Sequence, residues 1–85
     1  MQLDAFGKLY EIPEEMITNF MVEFRHVTEP GYREYLEDIR DMSSLVLETL
    51  YDDPELLDFE EYRDDFIKAH AMRQALAKYG ILFDA

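Results

Sequence analysis

The stretch YREYLEDIRDMSSLVLETLYD, residues 32 to 52, decides the fold. Counted at about 100° per residue from Tyr32, the side chains of Tyr35, Leu36, Ile39, Met42, Val46, Leu47 and Leu50 fall within about 140°, the pattern of a helix with one buried face. Serine favours caps and local backbone bonds, so Ser43-Ser44 is the place where such a helix would kink. The stripe stays in phase across the pair, and one continuous helix is expected. After Ser44 the apolar arc widens to take in Leu45 and Tyr51, so this end needs cover on a second side, from the chain terminus or from another subunit.

Toward the N-terminus, Met16, Ile17, Phe20, Met21, Phe24 and Val27 form a stripe of similar width, which predicts a first helix running to about Val27. Pro13 suits its first turn, and Glu14 and Glu15 follow near the positive end of the helix dipole. Thr28-Glu29-Pro30-Gly31 reads as a break and restart, with Thr28 or Glu29 as cap, and so short a connection implies antiparallel neighbours. In Met1 to Tyr10, Leu3, Phe6 and Tyr10 have helical spacing, but Gly7 interrupts them and Lys8 to Ile12 fits an extended segment equally well.

Toward the C-terminus, Asp52-Asp53-Pro54 marks a boundary. Asp58-Phe59-Glu60-Glu61 follows capping-box logic with Asp58 as the cap. A third helix is expected from about Phe59 to Tyr79, burying Phe59, Tyr62, Phe66, Ala69, Leu76 and Ala77, with the aliphatic stem of Arg73 projecting into that arc. Gly80 reads as its left-handed stop, with Ile81 touching Leu76 and Ile81-Leu82-Phe83 folding back as a tail. The expected fold class is therefore all-α, a small three-helix up-down bundle in one domain over residues 1 to 85, with a short N-terminal segment and a C-terminal tail packed on it.

The chain has 85 residues, a net charge of -12, an apolar fraction of 48%, six Tyr and six Phe. That much apolar and aromatic content argues for a folded chain despite the charge. A domain this small has little interior, so part of the apolar surplus suits a subunit or partner interface. The tyrosines suit the edge of a core, where the ring is buried and the hydroxyl stays wet.

The acids are patterned. Glu34, Glu37, Asp41, Glu48 and Asp52 lie within about 60° of one another on helix two, opposite its apolar stripe. At about 1.5 Å per residue this ridge is about 27 Å long, sparser than a DNA strand with a phosphate about every 3.4 Å. A second cluster adds Asp53, Glu55, Asp58, Glu60, Glu61, Asp64 and Asp65, with Arg63 alone against it. Five like-charge pairs have i,i+4 spacing: Glu34/Asp38, Glu37/Asp41, Glu48/Asp52, Glu60/Asp64 and Glu61/Asp65. At roughly 0.2 to 0.5 kcal/mol each, they cost about 1 to 2.5 kcal/mol together. The same acids also suit a solvated face kept for solubility, with those at the start of helix three favoured by its dipole and Lys68, Arg73 and Lys78 placed toward its C-terminus.

Other chemistry is poorly represented. Cysteine is absent, which removes disulfides, thiol nucleophiles and thiolate metal sites. Glu23-Phe24-Arg25-His26 has the Glu-x-x-His spacing of di-metal bundles, but it occurs once, and the count puts His26 about 80° outside the apolar arc. The acid run lacks the central glycine of a calcium loop. No nucleophile, base and orienting group are readable together, and His70 lies between the apolar and polar sectors of helix three. No catalytic residue, cofactor or metal is expected, and no enzyme activity.

The expected function is non-enzymatic protein binding: an acidic decoy, similar in charge to nucleic acid, on the basic surface of a nucleic-acid-binding protein or complex. Small acidic inhibitors of phage and mobile-element origin look like this by charge and size. Direct nucleic-acid or anionic-membrane binding is disfavoured by like charge. No leader or membrane span is evident, and the cytoplasm is the default compartment. The alternative is a self-associating structural or assembly subunit of the phage type, a homo-oligomer joined through Leu45 and Tyr51, with acid for solubility.

Overall fold

The computed structural model describes residues 1–26 and 31–78. Its first element bears out the extended reading of Lys8 to Ile12 and overturns the helical one of Leu3, Phe6 and Tyr10. Strands β1 (Gln2–Ala5) and β2 (Lys8–Glu11) form a two-stranded antiparallel sheet that pairs Leu3 with Tyr10 and Ala5 with Lys8. The two residues between them, Phe6 and Gly7, have positive φ of 56° and 74°, as a tight hairpin requires to match strand twist. Phe6 is an unusual residue there, since a left-handed backbone costs a side chain roughly 1 to 2 kcal/mol. Its ring is held 5.0 Å from that of Tyr51 and 6.3 Å from that of Phe66, and these contacts offset the strain. Alternation follows: Leu3, Ala5, Tyr10 and Ile12 face the helices, while Gln2, Asp4, Leu9 and Glu11 face outward. The helical reading of Leu3, Phe6 and Tyr10 fails because period-two pairing buries more of this segment than one interrupted helical turn could.

Helix α1 (Glu14–Arg25) starts directly after Pro13, whose carbonyl accepts the Met16 and Ile17 N–H groups. It buries Ile17 and Phe24 and half-buries Met16, Phe20 and Met21, the expected stripe. The proposed end at Val27, the Thr28 or Glu29 cap and Pro30 lie outside the described residues. Helix α2 (Tyr32–Asp52) is continuous, and Gly31 precedes it with φ 95°, accepting the Tyr35 N–H at 2.9 Å. Ser43 does not kink it. Although only 1% exposed, Ser43 donates its hydroxyl to the Arg40 carbonyl at 2.9 Å, so a local bond satisfies the buried oxygen without breaking the helix.

After α2, a 3-10 turn (Pro54–Asp58) buries Leu57 and leads into α3 (Glu60–Lys78). The first bond of α3 runs from the Arg63 N–H to the Phe59 carbonyl at 3.0 Å, so Asp58 stands one residue too early to cap it. Gly80, the Ile81 closure and the tail lie outside the described residues.

Helix α3 also departs from its expected face. Phe66, Ala69 and Leu76 are buried as expected, but so are Ala71 and Ala75, on the opposite side of the helix, whereas Phe59 is 62% exposed and Ala77 is exposed. The cause is its central position between α1 and α2. With Ile12, Ile17, Phe24 and Leu36, residues Ala71, Ala75 and Leu76 build one half of the core. Phe66 and Ala69 build the other half with Ala5, Leu47, Leu50 and Leu57. Alanines on two sides let both neighbouring helices approach closely. Among the described residues the molecule is thus mostly helical, with three α-helices and one small sheet.

Candidate protein-interaction face

Because α2 and α3 are unbroken, all five i,i+4 acid pairs lie within real helices. On the ridge, Glu34, Asp41, Glu48 and Asp52 are exposed and Glu37 is half-buried. Arg33 pairs with Glu37 at 3.1 Å and Arg40 with Asp41 at 3.2 Å. Both pairs lie at the surface, where such bonds contribute at most about 1 kcal/mol and neutralise little. In the second cluster, Asp52, Asp53, Glu55, Asp58, Glu60, Glu61, Asp64 and Asp65 are all exposed. Among the described residues, none of these eight forms an ion pair. Glu60 and Glu61, in the first turn of α3, are favoured there by its dipole, but Asp64 and Asp65 lie beyond it.

Leu45 and Tyr51 are not one patch. Six residues apart, they point about 120° from each other around α2. Leu45, 64% exposed, forms a wall of the groove between α2 and α3. Tyr51, 44% exposed, lies on the other flank in an aromatic cluster with Phe6, Phe66 and His70. The hairpin tip supplies the second-side cover that the widened end of α2 required.

In that cluster His70 meets the Phe66 ring edge-on at 4.7 Å, and its Nε2 is 3.3 Å from the Tyr51 hydroxyl. Burial, with a smaller contribution from the Arg73 charge, lowers the His70 pKa to about 4, so the ring is neutral near pH 7. Glu23 and His26 are both exposed on the last turn of α1. Among the described residues no three His, Asp or Glu side chains gather as a metal site, and no helix is long and apolar enough to cross a membrane.

One feature was not read from the sequence. A groove runs between α2 and α3 as two adjoining depressions of about 260 and 190 Å³, which share Val46 and Asp65. Leu45 and Tyr62 line the first, Met42 and Met72 the second. Met42 belongs to the core stripe of α2 by angle, yet it is 51% exposed, because the small Ala69 opposite leaves the groove open. Only the pairing of the two helices places these residues together. No protein-family model, curated protein or solved structure matches the chain.

Proposed function

We propose that this protein is a non-enzymatic binding module, an up-down helical bundle whose acidic face engages the basic surface of a nucleic-acid-binding protein and competes with nucleic acid for it. The observation that carries this reading is the state of the acids from Asp52 to Asp65: all exposed, with no ion-pair partner among the described residues. Carboxylates fixed on helices at repulsive spacing retain a field that a cationic protein surface would neutralise, and their rigidity spares the partner an ordering cost. A body of this charge repels nucleic acid and anionic lipid, so the ligand is a protein, and the cytoplasm is the proposed place of action.

The test is capture of partners from a host lysate by immobilised protein at low and high salt. Capture that fades with ionic strength, and that Glu34→Lys, Glu37→Lys and Asp41→Lys together abolish, is the expected result. Undiminished capture by the triple variant would remove the ridge from the site.

The exposure of Met42, Leu45 and Phe59 favours a second reading, assembly of identical subunits through apolar contacts with the acid for solubility. Sedimentation at micromolar concentration separates the two. A multimer dissolved by Leu45→Glu supports assembly, and a strictly monomeric protein excludes it.

A further inference from the structure

The acidic face borders the open groove, and their adjacency specifies more than either alone. We propose that the α2–α3 groove seats one amphipathic helix from the basic partner, presenting apolar residues at i, i+4 and i+7 with Lys or Arg on both flanks. This rests on the reading that the protein binds a basic partner, and it names the element recognised.

Length supports a helix. Met42 to Leu50 on α2 and Tyr62 to Met72 on α3 extend about 12 and 15 Å, whereas anchors at i, i+4 and i+7 spread over about 10.5 Å. Chemistry supports an apolar stripe, because Leu45, Val46, Tyr62 and Met72 present mainly carbon and two methionine or leucine walls can adjust to the anchors. Charge supports basic flanks. Asp65 lines both depressions and Glu61 stands one turn before it on α3, while Asp41 and Glu48 neighbour Leu45 on α2. Among the described residues, Lys68 is the one cation lining this groove. A second copy of the chain would bring another -12 against that rim, so charge disfavours self-association there.

The experiment titrates the isotope-labelled full chain with three synthetic peptides: a basic amphipathic helix, its scrambled isomer with apolar residues spread around the helix, and an acidic analogue with the original apolar pattern. The basic amphipathic peptide is expected to bind about tenfold tighter than its isomer. Amide shifts should concentrate in residues 42–50 and 62–72, and Leu45→Ser, at an exposed position, should weaken only the amphipathic peptide. Equal binding of the scrambled isomer would overturn the helix-in-groove proposal while leaving the acidic-face reading intact. Binding by neither basic peptide would overturn both. Equal binding of the acidic analogue would deny charge its role in the groove. A homodimer dissolved by Leu45→Ser, or proximity of Leu45 or Met72 to residues 81–83 in the free protein, would assign the groove to another occupant and likewise overturn the proposal.

Discussion

Phe66 is the side chain on which most of the tertiary structure converges. Fully buried, it takes ring contacts from Phe6, Tyr10, Tyr51 and His70, so it ties the hairpin, α2 and α3 together. Phe66→Ala is expected to cost about 3 to 5 kcal/mol, a large share of the roughly 5 to 15 available to a small domain, and urea unfolding would measure it. Beside it, His70 makes stability depend on pH in one direction. Its folded pKa of about 4 lies below the ordinary 6.5, so between those values the unfolded chain takes up a proton that the folded chain refuses. Stability present above pH 6.5 is therefore lost as pH falls toward 4. Carboxylate effects are common to wild type and variant, so the wild type should lose stability relative to His70→Gln across that window. A constant difference between their unfolding midpoints would show that His70 titrates normally. The importance of Phe66 was legible from its place in the helix-three stripe. The role of Phe6 was not, because a phenylalanine in a left-handed turn depends on distant rings that local propensity does not register.

Among the elements, α2 follows the sequence most closely, since its long in-phase stripe meets the core along one side and Ser43 satisfies its own hydroxyl. Helix α3 follows it least. Packed on two sides, it buries small residues that a single-stripe reading assigns to solvent, and its first turns carry uncompensated acid. Asp52→Lys would convert the Glu48/Asp52 repulsion into an attractive i,i+4 pair and place a cation on the last residue of α2, at the negative end of its dipole. A gain of about 0.4 to 1 kcal/mol is expected. A loss in thermal or urea stability would show that Asp52 has an intramolecular role. If the acids serve binding, the same change should also weaken basic-partner capture, a trade of function for stability.

For the whole molecule, most of the charge of -12 is carried from α2 through the 3-10 turn to the start of α3, where thirteen acids stand against Arg33, Arg40 and Arg63. Raising ionic strength from about 0.01 to 0.15 M shortens the screening length from about 30 to 8 Å. The folded state should then gain stability, up to the roughly 1 to 2.5 kcal/mol assigned to the five repulsive pairs. An unfolding midpoint unchanged by sodium chloride would show that the acid carries no net cost. The same salt should weaken capture of a basic partner, so stability and binding are expected to respond in opposite directions. The sequence by itself determined the stripes of α1 and α2, the exposed acid and its repulsive spacing, because periodicity and charge are local properties that need no neighbour. Only tertiary structure decided that Leu45 and Tyr51 part company, that the N-terminal residues pair as strands, and that a groove opens beside the acid. Each depends on which elements meet, and burial on two sides of α3 leaves no single periodic stripe from which to foresee that meeting.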